Sequence, residues 1–379
     1  MQIVKGYKFK LKTNNNLNIV FSKIAGCCRF VYNHFLMQKI DLYNFNLMTI
    51  NYVDQANQLP GLKSKFVWLK EIPSQTIQQS LKDLDLAYKN FFRRISKGEK
   101  AGFPKFKKKG FNDSFRFPQG VKVEGSKVFL PKVGFVKFWK SREIEGKIKN
   151  TTVTREGKHW YISFQVEYEK EDAKHDSNSA VGIDMGVKNF ATLSTGKKYK
   201  PLNSFRRLEN RLVIEQRKLS RKKKFSNNWK KQRMKVSNIH RKIANTRNDY
   251  LHKTSTKISK NHAIVVLEDL KVSNMSKSAK GDIEKPGKNV KPKSGLNKSI
   301  LDQGWYTFRK MLEYKLKWLG GSIVLVNPKN TSRKCHVCGC IDKMNRQTQA
   351  NFKCQNCGHS ENADVNAAKN ILAAGLCRC

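Results

Sequence analysis

Apolar residues in the first hundred positions recur at spacings of three and four residues. This is the spacing of an α-helix that packs one face against a core. It predicts a helix over residues 17–45 and a second over residues 74–98, bounded by Pro73 and Gly98. The apolar positions are Ile24, Cys28, Val31 and Phe35 in the first helix and Ile77, Leu81, Leu84, Tyr88, Phe91 and Ile95 in the second. We therefore predict a helical lobe and assign its aromatic residues to the core.

After Gly102 apolar and polar positions alternate with a period of two between Gly and Pro residues, which predicts short strands. The alternation is seen at residues 115–117, 128–130, 135–138, 151–155 and 160–166. The sequence Glu156-Gly157-Lys158 separates the last two strands and is typical of a hairpin turn. Residues 1–11 alternate as well. We predict a small β-barrel whose first strand precedes the helical lobe, so that the lobe is an insertion in the barrel.

The second half of the chain alternates continuous apolar runs with helical patterns, which is the order of an α/β domain. The runs at residues 180–184, 262–267 and 322–327 predict strands covered on both faces, and residues 190–194 predict a return strand. Two of these strands end in acidic residues, Asp184 and Glu268. Because α/β sheets bind ligands at the carboxyl ends of their strands, these positions are candidates for a site.

Helical patterns fill the spaces between these strands. A long helical stretch is predicted over residues 204–260. One further amphipathic helix is predicted from Leu301, Trp305, Phe308, Leu312 and Leu316. The polar segment 169–179 predicts a linker, and the Lys-, Gly-, Ser- and Pro-rich segment 271–297 predicts a mobile loop.

The charge of the chain indicates its partner. There are 76 Lys and Arg residues against 29 Asp and Glu, which gives a formal net charge of +47. Self-repulsion of this size opposes a compact fold unless an acidic partner neutralises it, so we predict nucleic acid binding. A hydrophobic content of 39% excludes a disordered polycation. No apolar run reaches membrane-spanning length and no secretory signal pattern is found, so we expect no membrane partner and a place in the cytoplasm.

Four of the nine cysteines form two Cys-x-x-Cys pairs, Cys335 with Cys338 and Cys354 with Cys357. Two such pairs can bring four thiolates around one tetrahedral zinc ion, which predicts a zinc finger. The other cysteines are odd in number and clustered, unlike a disulfide framework. No role is assigned to Cys340, Cys377 or Cys379, and Cys340 is interpreted as a spare thiol near the zinc site.

Asp364 follows this finger directly, at the start of a predicted short helix. Together with Asp184 and Glu268 it could bind two Mg²⁺ or Mn²⁺ ions, the ions that carboxylates prefer, and two such ions catalyse phosphodiester hydrolysis. Each residue also has a structural interpretation when taken alone: Asp184 could stabilise a turn, Glu268 could cap the next helix and Asp364 could be a helix N-cap. Alternation along the strand does not decide whether Glu268 or its neighbour Asp269 would belong to this site, because the two side chains point to opposite faces.

Several motifs together resemble the TnpB family of transposon-encoded, RNA-guided DNA nucleases, which are related to the type V CRISPR effectors. The resemblance rests on residues 182–193, residues 267–270, the paired cysteines and residues 362–371, with weaker matches at residues 26–33, 102–106, 216–224 and 304–305. It extends over nearly the whole chain. It also favours Glu268 over Asp269 as the functional acid.

The resemblance implies a multidomain α+β protein in six segments. A wedge-like β-barrel would comprise residues 1–12 and 102–170, interrupted by a helical recognition lobe of residues 13–101. An RNase H-like (RuvC) α/β nuclease domain with a basic helical hairpin would comprise residues 171–329 and a final segment, residues 361–379, with a zinc ribbon inserted at residues 330–360. Asp184, Glu268 and Asp364 would be the catalytic, magnesium-binding triad. The partners would be a guide RNA from the transposon end and double-stranded target DNA.

Two basic segments are candidates for nucleic-acid contact. The first mixes lysines with aromatic residues after Gly102, and the second is a dense block near Trp229; a block of this kind is otherwise a solvated helix face. The candidates are Lys105, Lys107, Lys108, Arg217, Arg221, Lys222, Lys223 and Lys224. An RNA-guided DNA endonuclease is the expected function, with a non-cleaving RNA-guided binder or repressor and a strand-joining transposase as alternatives.

Overall fold

The computed structural model describes residues 2–46, 48–171 and 173–377. The chain divides into two compact units, Met1–Lys170 and Glu171–Cys379. Each unit has its own hydrophobic core. No helix in these described ranges is both long enough and apolar enough to cross a membrane.

The first unit combines one strand, a helical segment and six further strands. In chain order its elements are β1 (Gln2–Lys10), α1 (Asn15–Asn46), α2 (Tyr52–Asn57), α3 (Leu59–Lys65), a 3-10 helix (Val67–Glu71), α4 (Ser74–Ser96), β2 (Ser114–Phe117), β3 (Lys122–Glu124), β4 (Lys127–Leu130), β5 (Gly134–Lys137), β6 (Lys147–Glu156) and β7 (His159–Glu169). Both predicted helices are confirmed as α1 and α4. The predicted apolar face of α1 is buried, whereas that of α4 leaves the core after Leu84, since Tyr88 is half-buried and Ile95 is exposed.

The strands of the first unit form two sheets. One has the order β1-β7-β6-β2 and the other has the order β3-β4-β5. Because β1 pairs with β7 along its whole length, β1 belongs to the same sheet as β2, although the helical segment separates these two strands in the chain. The hairpin turn is also confirmed, since Glu156 pairs with His159.

The predicted closed barrel is not found in the described residues. A single bridge between Leu11 and Phe138 joins the two sheets. The edge strand β2 packs against helices α1 and α4, so that helices cover the sheet where a barrel would require strand pairing. The ring of Phe21 in α1 lies 5.7 Å from that of Phe115 and 5.3 Å from that of Trp160. The helical segment and the sheet therefore share one core.

The second unit is built around a five-stranded sheet. Its elements are β8 (Ala180–Asp184), β9 (Ala191–Leu193), β10 (Lys198–Tyr199), α5 (Ser204–Ser220), α6 (Asn227–Asn261), β11 (Ile264–Glu268), α7 (Val272–Met275), α8 (Val290–Gln303), α9 (Trp305–Leu319), β12 (Ser322–Val326), a 3-10 helix (Lys343–Asn345), β13 (Asn351–Lys353), β14 (Ser360–Asn362) and α10 (Ala363–Leu376). The sheet has the order β10-β9-β8-β11-β12, with β8, β11 and β12 parallel and β9 antiparallel to β8. The return strand and the buried strands β8 and β11 are confirmed. The third predicted run forms β12, but it is the edge strand of the sheet and only its Val326 is buried.

Three predictions for this unit need correction. Leu301 does not belong to the helix of Trp305, because Gly304 has a φ of 72° and separates α8 from α9, and Leu301 is exposed on α8. The predicted loop at residues 271–297 contains α7 and the start of α8. The predicted linker is partly packed, since His175 is buried and its Nε2 lies 2.8 Å from the carbonyl oxygen of Ser259.

Helix α10 lies unusually close to the sheet, at two glycines. A Cβ atom on Gly182 of β8 would lie 2.1 Å from the carbonyl oxygen of Ala368. A Cβ atom on Gly375 of α10 would lie 2.5 Å from a methyl group of Val266 in β11. Only glycine permits this approach at either position. The helix is thereby fixed across the two strands that end in Asp184 and Glu268.

Candidate active site and metal centre

Asp184 and Glu268 end two adjacent parallel strands. Ile183 of β8 pairs with Leu267 of β11, so the next residue of each strand is an acid at the same edge of the sheet. Both strands are buried apolar segments, which is why their first polar side chains fall at their carboxyl ends. The register therefore brings two carboxylates to one edge, as the sequence predicted for strand ends.

Asp364 reaches the same edge from helix α10. It lies in the first turn of the helix, one turn before Ala368, which contacts Gly182. Its Oδ2 accepts a hydrogen bond from Nδ2 of Asn189 at 3.0 Å, and its Oδ1 lies 3.4 Å from Nη2 of Arg346. The residue that precedes the helix is Asn362, so Asp364 is not the N-cap.

The charges of Glu268 and Asp364 both act on Asp184. Burial raises the pKa of Asp184 to about 7, and the negative charges of Glu268 and Asp364 contribute to this rise, while Arg346 opposes it. Burial also raises the pKa of Glu268, although Thr331 donates a hydrogen bond of 2.6 Å to its Oε1 and opposes the shift. Buried carboxylates so close together are costly to ionise without a cation.

Asp269 is directed away from this cluster. Its carboxylate accepts a hydrogen bond of 2.7 Å from Nη1 of Arg309 and is half-exposed. Glu268 is buried. Of the two neighbouring acids that alternation could not distinguish, Glu268 is therefore the one whose charge acts on Asp184.

Three residues of the cluster were missed from the sequence: Asn189, Thr331 and Arg346. Asn189 lies in the short connection from β8 to β9, where a polar residue close to Asp184 was a usable signal. Thr331 and Arg346 follow no local pattern, since each is brought to the acids by the path of the chain through the finger. Only the folded structure reveals them.

The four predicted cysteines come together as one group. The Sγ atoms of Cys335 and Cys357 are 3.7 Å apart and those of Cys338 and Cys354 are 3.5 Å apart. A tetrahedral ion with bonds of about 2.3 Å to sulfur places its ligands about 3.8 Å apart, so the spacing fits zinc. The thiols of the group interact: the pKa of Cys338 is lowered, mainly by the backbone N–H of Cys340, and that of Cys357 is raised. A thiolate is the form that binds metal.

The remaining cysteines near the finger have other surroundings. Cys340 lies outside the four-sulfur group, and its carbonyl oxygen accepts a hydrogen bond of 2.8 Å from the backbone N–H of Cys335. Its backbone therefore supports the first Cys-x-x-Cys turn. Cys377 is exposed at the end of α10, and Cys379 lies outside the described residues.

The basic candidates of the first unit lie on an irregular segment after α4. Lys105, Lys107 and Lys108 are exposed. The ammonium group of Lys107 also lies 4.0 Å from the ring centroid of Tyr32, and loss of water around it lowers its pKa. Asn33 holds the backbone of Lys107 with hydrogen bonds of 2.8 and 2.9 Å. This segment therefore has a fixed path, and Lys107 has a partner within the protein.

The basic candidates of the second unit lie at the tip of the α5–α6 hairpin. Arg217 is in the last turn of α5, and the other four lie in the connection that follows it: Arg221, Lys222, Lys223 and Lys224. Phe225 in the same connection is 67% exposed and has a φ of 70°, a conformation that non-glycine residues rarely adopt. Its ring lies 5.5 Å from that of Trp229. The tip thus presents cations beside the exposed ring of Phe225.

Three family profiles match the chain. Residues 163–279 match OrfB_IS605, described as "Probable transposase", and residues 305–371 match the "Cas12f1-like, TNB domain". Residues 1–46 match a profile described as a helix-turn-helix domain. In the structure residues 2–46 form β1 and the single long helix α1 rather than two helices.

Relatives and solved structures extend this similarity. The chain is 50% identical over 379 residues to "Putative RNA-guided DNA endonuclease InsQ" of Escherichia coli K12, covering 99% of this chain and 93% of that protein. It is 32% identical to a protein of Streptomyces pristinaespiralis with a similar name, covering 99% and 90%. The fold resembles that of Cas12f1 in a cryo-EM complex with sgRNA and target DNA, with a TM-score of 0.57, 14% identity and 98% coverage of both chains. On the extent of its identity to InsQ, the chain belongs to the TnpB family of IS605-type transposon proteins.

Proposed function

We propose that this protein is an RNA-guided DNA endonuclease that hydrolyses phosphodiester bonds of target DNA. The observation that carries the proposal is the pairing of β8 with β11, which places Asp184 and Glu268 side by side beneath the helix that bears Asp364. The names of the relatives support it, since InsQ and the Streptomyces protein are both named as RNA-guided DNA endonucleases.

The second unit is proposed to be an RNase H-like (RuvC) nuclease domain. Its strand order β10-β9-β8-β11-β12, with three parallel strands and an antiparallel pair at one edge, supports this assignment. The acidic residues lie at the carboxyl ends of the parallel strands, where α/β folds bind their ligands. The six-segment division and the place of the protein in the prokaryotic cytoplasm or nucleoid are part of the same proposal.

Asp184, Glu268 and Asp364 are the proposed ligands of two Mg²⁺ or Mn²⁺ ions. Such ions supply an activated water and neutralise the charge that develops on the phosphate oxygens. The protein supplies the arrangement: Thr331 holds one oxygen of Glu268, Asn189 holds one oxygen of Asp364, and Arg346 places a positive charge beside the cluster. Partners of this kind orient metal ligands and tune their affinity.

Cys335, Cys338, Cys354 and Cys357 are the proposed ligands of a structural zinc ion. All four sulfurs belong to the protein, which leaves no open position for a substrate and is typical of a structural site. The match of residues 305–371 to the Cas12f1-like TNB profile supports a zinc ribbon here. Through Arg346, a residue of the same finger, the zinc site would also support the acidic cluster.

The proposed partners are a guide RNA and double-stranded target DNA. A net charge of +47 supports two polyanionic partners at once. Guide pairing can supply the sequence specificity of the nuclease, with the protein holding the heteroduplex by shape and charge. Exposed candidates for phosphate contact lie after α4 and at the α5–α6 tip, where Phe225 could stack on a base.

The test is cleavage by purified protein before and after removal of bound RNA. The protein as purified should carry RNA, and RNA-free protein should cut a matched duplex only after a guide of that sequence is added with Mg²⁺. A guide with a scrambled target segment is the control. Equal cutting by RNA-free protein would contradict the proposal. Guided binding without cutting would favour a repressor, and joined strands among the products would favour the transposase named by the family profile.

A further inference from the structure

A second group of metal-ligating side chains lies beside the four cysteines. It consists of His336, His359 and Glu361, whose ligand atoms all lie within 4.8 Å of one another. The three side chains are largely buried, with exposures of 20%, 26% and 22%. Neither the zinc ion of the cysteines nor the acidic cluster requires them. We propose that they bind a second transition-metal ion, most suitably Zn²⁺.

The spacing of the ligand atoms supports this proposal. Oε2 of Glu361 lies 3.5 Å from Nδ1 of His336 and 3.6 Å from Nε2 of His359. Bonds of about 2.0–2.2 Å from zinc to nitrogen and oxygen correspond to ligand separations of about 3.3–3.5 Å in a tetrahedron. Two imidazoles and one carboxylate also form a known zinc ligand set that leaves the fourth position for water.

Two of these atoms are left without a hydrogen bond. Nε2 of His359 and Oε2 of Glu361 are both buried and have no hydrogen-bond partner among the described residues. A buried polar atom without a hydrogen bond is costly, and two that face each other at ligand spacing suit a shared cation. A metal ion between them would satisfy both atoms.

The neighbours of the group orient it for metal binding. Nζ of Lys369 lies 2.6 Å from Oε1 of Glu361, which leaves Oε2 to face the imidazoles. Oδ1 of Asn366 lies 3.0 Å from Nδ1 of His336 and also accepts a hydrogen bond of 3.1 Å from the backbone N–H of His336. When Nδ1 binds an ion, the contact with Nδ1 is given up and the bond from the backbone N–H remains. Both neighbours belong to helix α10. The ion would therefore fix the finger to the helix that carries Asp364.

The test is the number of zinc ions bound per chain. RNA-stripped protein is incubated with Zn²⁺ in a large excess of Mg²⁺, which occupies the acidic cluster and keeps Zn²⁺ off it. Unbound metal is removed by gel filtration in buffer with Mg²⁺, and the zinc content is measured by mass spectrometry. We expect two ions in the wild type and one in Glu361→Gln, which keeps the shape of the side chain, and in His359→Ala. His240→Ala, an exposed histidine of α6, is the matched control and should keep two.

Cobalt substitution separates loss of the ion from unfolding of the finger. Co²⁺ at the four thiolates gives a sulfur-to-metal charge-transfer band, whereas Co²⁺ bound by nitrogen and oxygen does not. The proposal expects this band to be unchanged in Glu361→Gln while the metal content falls from two ions to one. One ion in the wild type, or two ions in Glu361→Gln, would overturn it.

Discussion

The guanidinium of Arg346 lies 3.4 Å from the carboxylate of Asp364 and joins the finger to the acidic cluster. Arg346 follows the 3-10 helix of the finger and is held there by the carbonyl oxygen of Gln349 at 3.0 Å. Its positive charge also offsets part of the rise in the pKa of Asp184. The finger therefore contributes to the electrostatics of the candidate active site as well as to its support.

Replacement of any one acid should abolish cleavage and spare nucleic-acid binding. Removal of a partner that merely orients a metal ligand costs about 10–100-fold in affinity or activity, so Asp184→Asn, Glu268→Gln or Asp364→Asn should each lower the single-turnover cleavage rate by more than that. Binding depends on many cations elsewhere and should change little. Asp269→Asn is the control. Asp269 pairs with Arg309 instead of joining the other acids, so this variant should cut normally. Full cleavage by a triad variant would remove that residue from the site.

The raised pKa of Asp184 makes the stability of the Mg²⁺-free protein depend on pH. Between the ordinary aspartate pKa of 3.8 and the folded value of about 7, the folded state holds a proton that the unfolded state has lost. Its contribution to stability is therefore present at low pH and is lost as the pH rises towards 7, by up to about 1.4 kcal/mol per pH unit. Asp184→Asn lacks this titration. Urea unfolding of both proteins between pH 4 and 8 should show their difference in stability growing with pH, and parallel curves would contradict the prediction.

The close approach of α10 to β8 predicts that Gly182→Ala destabilises the second unit. The added Cβ would lie 2.1 Å from a backbone oxygen, which cannot move without shifting the helix. Overpacking costs about 1–3 kcal/mol, and displacement of α10 should also reduce cleavage because it moves Asp364. Gly295→Ala in helix α8 is the control, since its Cβ would meet no atom of the described residues within 4 Å and alanine should stabilise the helix by about 0.5–1 kcal/mol. Equal unfolding midpoints for the two variants would refute this account.

Loss of one cysteine ligand should release the zinc ion and unfold the finger. Structural zinc in finger peptides contributes on the order of 10–16 kcal/mol, and the finger has only a small core around Phe352 to replace it. Cys354→Ser should therefore lose the ion at this site and most of the cleavage activity. Cys340→Ser should keep both, because its sulfur lies outside the four-sulfur group. Zinc retained at full occupancy by Cys354→Ser would contradict the assignment.

Phosphate contacts at the α5–α6 tip should appear as salt dependence. Each contact contributes about −0.9 for duplex or −0.7 for single strands to the slope of log K against log[salt]. Replacing Lys222, Lys223 and Lys224 together by glutamine should flatten the slope by about 2–3. A matched variant replaces Lys89, Lys253 and Lys310, which are paired with acids on their own helices, and should change the slope less. Equal slopes for the two variants would indicate that the three lysines of the tip are solvated and do not contact phosphates.

The parts of the fold that follow from local pattern were predictable. Helix α1 follows the spacing from Ile24 to Phe35, and the buried strands follow their apolar runs. Parallel pairing then brings Asp184 and Glu268 together, because carboxyl ends of parallel strands share one edge. The break at Gly304 was missed because the apolar spacing continues across it, while its positive φ interrupts the helix.

Features that depend on distant packing were not predictable. The alternating pattern of the first unit is compatible with a barrel and with two sheets. The structure has two sheets, because α1 and α4 pack on β2 where a barrel would need a further strand. Arg346 and Thr331 join the acidic cluster only through the path of the finger. Likewise the neighbours Glu268 and Asp269 have the same local pattern, and the contact with Arg309 distinguishes them.

The order of the three acids along the chain has a consequence for synthesis on the ribosome. Asp184 and Glu268 can pair on their strands early, whereas Asp364 arrives only after the finger has been made. Until α10 has emerged and settled on Gly182, the nascent protein lacks the third acid. Under the proposed function, a chain that stops before α10 carries an incomplete set of metal ligands, so cleavage has to wait until the last helix has been made.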